Sequence, residues 1–478
     1  MTDEGSHVVT TFVRNRGAVL LVRRRPDAVR FPGVWDALSG GIEDDAGDGT
    51  DSDTTDDADG PTTDDADGPT TDDTARACAL ISEETSLGDD ERQVVRSGRP
   101  VEGVSANGDT LVHHPVLVET TTRDVDVGGR ETVWTTPAAL AVDDRETVPS
   151  LWDAYERVAP SVRSVAADDD HGAAALSVDA LEVLSLRAAL LCRERDGASV
   201  DRSTEWDELA DLARRLREAR PSMAVLRNRI NRAMTAAASP EGWTLAFETP
   251  EFGVGATDHR REDTAEKDAR AVVEATLEAI DRATSADEAA AAAARDRLRG
   301  QVLTVSRSGT VLQALMDASL DRIFVAESRP GREGVDVATE LAAHGPVTLV
   351  PDAATAHVLA TESIDAVVVG ADTVFPDGRV VNKVGTRATA IAASDADVPV
   401  CVVTAGEKVS TERDLTLERE CRSGSVDVAP TVDVVSPTFD VTPPRFVTEL
   451  ITEYGAIEPA AVSPIAETIS AWEDWPIK

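Results

Sequence analysis

Five short apolar runs in the last third of the chain constrain its fold more than any other feature. They are VLTV at 302–305, RIFVAES at 322–328, VTLVPD at 347–352, AVVVGAD at 366–372 and VPVCVVT at 398–404. Each is rich in β-branched residues and too short for a helix, and each of the first four leads into a turn and a helical or crossover stretch. Continuous apolar strands alternating with helices predict a parallel sheet covered on both faces, so the fold class is α/β. Ligands of such sheets sit beyond the carboxyl ends of the strands. The polar residues at those ends are Ser306, Glu327, Ser328, Arg329, Asp352, Asp372 and Thr404.

Upstream of this sheet the rhythm is different. From 178 to 300 the apolar residues recur at spacings of three and four, as in LEVLSLRAALLCRER, EWDELADLARRLREA, AVLRNRINRAM, AEKDARAVVEATLEAIDRAT and DEAAAAAARDRLR, which predicts a helical subdomain. Residues 166–177, with ADDDHGAAA, read as a linker. Residues 1–165 form a further domain. Within it HVVTTFVRN and GAVLLVRRR read as paired strands around a turn at Asn15–Gly17, LVHHPVLVET as a strand, and Thr74–Leu87 and LWDAYERV as helices. An insertion at about 44–73 carries TTDDADGP at 54–61, its copy at 62–69 and a TTDD remnant. It holds too little apolar surface to offset chain entropy, so a disordered loop is expected.

Charge narrows the partners. Asp and Glu outnumber Lys and Arg by 88 to 47, a net charge of −41 spread along the chain, which disfavours direct binding of nucleic-acid phosphates. Four of the basic residues are lysine: Lys267, Lys383, Lys408 and Lys478. Acidity with scarce lysine points to a protein adapted to high salt. The cysteines at 78, 192, 401 and 421 lack metal-type spacing and read as reduced thiols. No apolar run reaches the ~20 residues that span a bilayer. A cytoplasmic protein is expected.

Three ordered segments carry a specific resemblance: ESRPGREG at 327–334, GADTVFPDGRVVNKVGT at 370–386 and FDVTPPRFVTELITEYG at 439–455. They are similar to signature segments of the translation initiation factor 2B α/β/δ family, which also contains methylthioribose-1-phosphate and ribose-1,5-bisphosphate isomerases. EARPSMAVLRNRINRAM at 218–234 resembles the arginine–proline segment of its helical domain. The resemblance covers 178–478 and implies a Rossmann-like domain over 301–478, a phosphorylated small-molecule ligand and a homo-oligomer. It implies substrate contacts at Arg220, Arg329, Asn382, Lys383 and Lys408. Arg329 also offers a planar fork suited to phosphate, and two of only four lysines fall on these positions.

In the isomerases of that family a Cys and an Asp face each other across the open-chain sugar. Asp372 matches the aspartate, whereas Ser306 stands where the cysteine is expected. A thiol titrates near ~8.5 and supplies some base at neutral pH, but an unassisted hydroxyl supplies almost none. The isomerases also carry an Arg-Gly-Ala-Gly loop that cradles phosphate. The stretch taken as its equivalent, EVLSLRAALL at 182–191, has no glycine. Asp372 and Ser306 are thus the catalytic candidates of a site with two elements missing.

The N-terminal domain has its own resemblance. RNRGAVLLVRRR, then FPGVWDALSGGIE at 31–43, resembles the opening of a Nudix domain, an α/β/α fold whose Arg-Glu-x-x-Glu-Glu helix binds Mg²⁺ through carboxylates on one face. In ALISEETSL at 79–87, Glu83 and Glu84 match the metal pair, but Ala79 and Leu80 replace the Arg and the first Glu. Together these features predict a regulatory, ligand-binding initiation factor 2B-like protein fused to a degenerate Nudix domain. Two alternatives are a sugar-phosphate aldose–ketose isomerase and a Nudix hydrolase of nucleoside diphosphate derivatives.

Overall fold

The computed structural model describes residues 6–28, 30–42, 71–104, 110–142, 145–168, 171–197, 202–238, 268–414, 432–433, 435–473 and 475. The chain divides into two compact units, Met1–Ala159 and Pro160–Lys478. No helix among the described residues is long and apolar enough to cross a membrane.

Unit 1 is a mixed sheet with helices. Its elements are β1 (Ser6–Asn15), β2 (Ala18–Arg23), β3 (Trp35–Asp36), β4 (Leu38–Gly41), α1 (Thr71–Glu84), β5 (Arg92–Ser97), β6 (Val101–Val104), β7 (Thr110–Thr120), β8 (Thr132–Thr135), α2 (Pro137–Val142) and α3 (Leu151–Val158). The expected hairpin forms: β1 and β2 pair antiparallel, with Arg14 opposite Val19. Its turn residues Arg16 and Gly17 are both left-handed, at φ 48° and 74°, which matches the twist of the strands it joins. The central path of the sheet runs β3-β2-β1-β7-β5, and β1 lies parallel to β7. Val9 and Val13 of β1 pack with Ala77, Leu80 and Ile81 of α1. On the opposite face Phe12 meets Tyr155 of α3 edge-on, ring centroids 5.1 Å apart.

Most of the acidic insertion, 43–70, lies outside the described residues. Its last three residues are helical and open α1. Asp73 is buried there and pairs with His114 Nδ1 at 3.1 Å, and an acid in the first turn also favours the helix dipole.

Unit 2 begins with helices: α4 (Val162–Ala167), α5 (Ala173–Gly197), α6 (Arg202–Arg217), α7 (Ala224–Ala238) and α8 (Ala269–Arg295). Two expectations change here. The segment read as a linker, 166–177, contains the end of α4 and the first turn of α5, because Ala173, Leu176 and Ser177 are buried core positions. The last two helical stretches join into the single 27-residue α8, because nothing between them breaks a helix; Asp268 caps it by accepting the Ala271 N–H.

The α/β part then follows: β9 (Gln301–Thr304), α9 (Gly309–Asp317), β10 (Arg322–Ala326), α10 (Glu333–Leu341), β11 (Val347–Val350), α11 (Thr355–Thr361), β12 (Ala366–Val369), β13 (Thr373–Val374), β14 (Val380–Lys383), α12 (Thr386–Asp395), β15 (Val400–Val403), β16 (Phe439–Thr442), β17 (Glu449–Thr452), β18 (Gly455–Ile457) and α13 (Ser463–Ser470). The five apolar runs are β9, β10, β11, β12 and β15. The large sheet is ordered β11-β10-β9-β12-β15-β17-β18, parallel except for β18.

Side chains alternate between two cores. Leu303, Val367, Val369, Val400 and Val402 face α12 and α13, while Val302, Val368, Cys401 and Val403 face α8 and α9. This two-sided burial is why the strands read as continuous apolar runs. At about 25 cal/mol per Å² of apolar surface, such burial supplies most of the drive to fold. A small sheet, β13-β14-β16, stands beside the large one.

Candidate functional site

Strand order determines where a ligand site can form. The chain winds outward from β9 through β10 to β11, then returns to place β12 on the other side of β9. The connections leaving β9 and β12 therefore diverge, and a crevice opens at their carboxyl ends. Ser306 follows β9 and Asp372 follows β12. Both line a cavity of about 80 Å³, together with Arg220, Asn382, Lys383 and Lys408. Six of the seven residues singled out in this region thus meet in one place.

The elements that hold them are distinct. Arg220 follows α6, is buried, and donates from Nη1 to the carbonyls of Asp168 (2.8 Å) and Ala166 (3.3 Å). Asn382 and Lys383 come from β14, whose partner β16 places Asp440 and Phe439 opposite them. Asn382 Nδ2 donates to Thr386 Oγ1 at 2.9 Å. Lys383 Nζ lies 2.5 Å from Glu333 Oε1 and 5.9 Å from the centre of the Phe439 ring.

Lys408 sits on a 3₁₀ turn, Gly406–Lys408, just past β15. It is 4% exposed and donates to the Ala371 carbonyl at 2.7 Å. Burial pushes its pKa down, and the charges of Asp287 and Asp372 oppose that shift. Helix α7 grips the turn from behind. Asn228 Nδ2 donates to the carbonyls on both sides of Lys408, Glu407 at 2.7 Å and Val409 at 2.8 Å. Arg229 donates to Glu407 Oε2 at 2.9 Å, and Arg232 binds the same carboxylate.

The loop that presents Ser306 is tightly held. Ser306 has a left-handed φ of 67°, and its N–H donates to Ser328 Oγ at 2.7 Å. Ser328 is itself buried, and Asp352 accepts the N–H groups of Ser328 (2.7 Å) and Arg329 (2.8 Å). Ser308 caps α9 and borders the cavity, as do the first residues of α5 and α10. Free N–H groups at helix starts suit an anion, and the lysines add charge.

Arg329 is the residue that the structure does not bring in. It was expected to offer its fork to phosphate, but the fork lies on Glu327, with both contacts at 3.1 Å, and the side chain is 63% exposed. That bond holds the Glu327 carboxyl below its usual range. The chain turns at Pro330 and Gly331, which border the cavity in place of Arg329.

Lining residues that sequence reasoning missed include His171, Gly172, Arg307, Ser308 and Glu333. The stretch 182–191, taken as the counterpart of the glycine loop, lies inside α5. The cavity is bordered instead by His171, Gly172, Ala173 and Ala174, which keep the Gly-Ala order of the loop with His in place of Arg. The Gly-Ala pair was the available signal, hidden because the segment resembled a linker. His171 is held by Asp168, 2.9 Å from Nδ1.

In unit 1, Glu83 pairs with Arg76 at 3.2 Å and Glu84 with Arg130. Leu80 is 2% exposed, and a Cβ at Gly40 would come within 2.9 Å of its Cδ1. No group of three or more His, Cys, Asp or Glu suited to a metal occurs among the described residues. These residues therefore do not fit the Mg²⁺ expected there. A separate cavity of about 150 Å³ in this unit is lined by Arg24, Asp36, Ser39 and His113 among others, but by neither glutamate.

Residues 169–459 match the Initiation factor 2 subunit family. Methylthioribose-1-phosphate isomerase of Azotobacter vinelandii is 35% identical over 173 residues, 34% of this chain and 48% of the relative, so the match spans about half the relative's length. The enzyme of that name from Pseudomonas putida is 29% identical over 352 residues, covering 69% of this chain and 93% of its own. Among solved structures, the translation initiation factor eIF-2B of Pyrococcus horikoshii is 22% identical with a TM-score of 0.47, over 62% of this chain and 95% of that one. Through residues 169–459, the chain belongs to the Initiation factor 2 subunit family.

Proposed function

We propose that unit 2 binds a phosphorylated sugar in the cavity between the ends of β9 and β12, and that it responds to this ligand rather than turning it over rapidly. The observation that carries the reading is the convergence of Arg220, Asp372, Asn382, Lys383 and Lys408, from separate segments, on one cavity. Phosphate is recognised by such cations together with helix-start N–H groups. Ser306 is the reason for a slow or absent reaction. It occupies the strand end facing Asp372, yet a hydroxyl without an adjacent base supplies little nucleophile or base.

A second reading, aldose–ketose isomerisation, is favoured by Asp372 lining the same cavity and by the names of the relatives above. Calorimetric titration with methylthioribose 1-phosphate and ribose 1,5-bisphosphate, followed by NMR of the recovered sugar, separates the two. Binding with unchanged sugar supports the first reading. Turnover abolished by Asp372→Asn establishes the second, and failure of both sugars to bind removes both.

Unit 1 is proposed as a degenerate Nudix domain. Support comes from the FPGVWDALSGGIE segment leading to α1, and from arginine partners on both remaining box glutamates. Its role is non-hydrolytic in this reading. Assembly into a dimer or larger species in molar salt is part of the proposal; light scattering that gives the 50.6 kDa monomer mass would refute it.

A further inference from the structure

One acid of the cavity is set beside a lysine and works against a phosphate. Glu333, the first residue of α10, lies on the lining with Lys383, and its Oε1 is 2.5 Å from Lys383 Nζ. Its other oxygen, Oε2, is buried and has no hydrogen-bond partner. A buried carboxylate oxygen without a donor is costly, so the site is completed by a group that brings a proton. A sugar hydroxyl does so, and a phosphate dianion does not.

The cations of the cavity are also partly committed. Lys383 is matched by Glu333, and Arg307 lies 3.3 Å from Glu340. Lys408 is turned toward the Ala371 carbonyl, and Arg220 toward the carbonyls of Asp168 and Ala166. Asp372 adds a second acid to the lining. What remains suits one phosphate group. A second phosphate beside Glu333 would set its oxygens against a carboxylate, with no hydrogen between them.

We infer that Glu333 makes this cavity selective for a sugar monophosphate with free hydroxyls at the Lys383–Glu333 end, and against a sugar bisphosphate. The inference rests on the sugar-phosphate reading of the cavity given above. Glu333 acts here in two ways: it accepts a hydroxyl through Oε2, and it cancels the Lys383 charge that a second phosphate would use. Like charges placed face to face are an effective means of rejecting a wrong partner.

The test titrates the full-length protein with methylthioribose 1-phosphate and with ribose 1,5-bisphosphate, and reads the ratio of the two affinities. The parent should prefer the monophosphate by about tenfold or more. Glu333→Gln keeps the size and an acceptor oxygen but removes the charge. It should shrink the preference by about tenfold, chiefly through tighter bisphosphate binding. Glu333→Asp retains the carboxylate and should keep the preference. Lys383→Met removes the counter-charge and should widen it, which provides an independent reading if Glu333→Gln folds poorly. A parent that binds the bisphosphate as tightly as the monophosphate overturns the inference. So does an unchanged ratio in both Glu333→Gln and Lys383→Met, and either result leaves the cavity reading standing. If the parent binds neither sugar, both fall together.

Discussion

The cavity of unit 2 and helix α1 of unit 1 both hold charged residues that a sequence motif brings to notice, yet they differ in what those residues face. In unit 2, Arg220, Asp372, Asn382, Lys383 and Lys408 line one cavity, and several are held by partners that leave them there. In unit 1, Glu83 and Glu84 are each taken by an arginine, neither borders the cavity of that unit, and Leu80 is packed into the core. The difference teaches that surviving motif residues carry function only when their neighbours leave room for a ligand. A carboxylate paired on a helix surface is a solvated ion pair of small consequence.

The sharpest way to break this comparison is to install at residue 80 the carboxylate that the Nudix resemblance calls for. Leu80→Glu places a carboxylate among Val9, Ala77 and Ile81, which form the core under α1. Stability should fall by about 2–5 kcal/mol in urea unfolding, because the new charge is buried without a partner. If the double variant Ala79→Arg, Leu80→Glu instead folds like the parent and gains Mg²⁺-dependent hydrolysis, α1 is a near-intact site and the contrast fails.

The next effect lies in the cavity. Lys408→Ala should weaken sugar-phosphate binding about ten- to a hundredfold, since a charge-assisted contact is worth roughly 1.5–3 kcal/mol, and Lys383→Ala should weaken it by less. Calorimetry that finds both variants as tight as the parent would show that the cavity is not the site. The Lys383 loss should be the smaller of the two, because Glu333 already balances that charge.

A pH effect tests the support beneath Lys408. Glu453 is half-buried and accepts the Gly406 N–H at 2.8 Å. Burial, aided by Glu407 and Asp287, pushes its carboxyl up to about 7, while the Gly406 N–H acts to lower it. The folded state therefore holds this proton more tightly than the unfolded chain does. Between the ordinary carboxylate value of 4.5 and about 7, stability contributed by this group falls as pH rises. Glu453→Gln stays neutral and can still accept the N–H. It should match the parent near pH 4 and exceed it by on the order of 1–3 kcal/mol near pH 8. A difference between the two proteins that does not change with pH in urea melts would contradict the assignment.

The smallest expected effect completes the contrast. Glu83→Gln removes one exposed ion pair and should change stability by less than about 1 kcal/mol. Chelation of divalent cations should leave the melting temperature of the parent unchanged. A clear drop on chelation would place a metal in unit 1 after all.

Much of the fold was legible because two-sided burial leaves a strong mark. The runs at 302–305, 322–328, 347–352, 366–372 and 398–404 are five of the six parallel strands, and their apolar continuity follows from packing helices on both faces. The positions of Ser306 and Asp372 at strand ends were legible for the same reason. The start of α5 was not. HGAAA follows an acidic stretch and looks like a linker, and only the packing of Ala173, Leu176 and Ser177 makes it a helix start at the cavity.

What the sequence determined by itself was the strand-and-helix alternation and the family segments, because these depend on residue type and spacing along the chain. Tertiary structure decided which charges face a shared space. Arg329 and Lys383 are both candidates for phosphate in sequence, yet Arg329 folds onto Glu327, two residues away, whereas Lys383 is carried into the cavity by the pairing of β14 with β16. Glu333 gave no sign in sequence of meeting a lysine fifty residues later. The reason is physical: an ion pair or an unpartnered oxygen is a property of distance and burial, and the order of strands β9 and β12 brings those segments together.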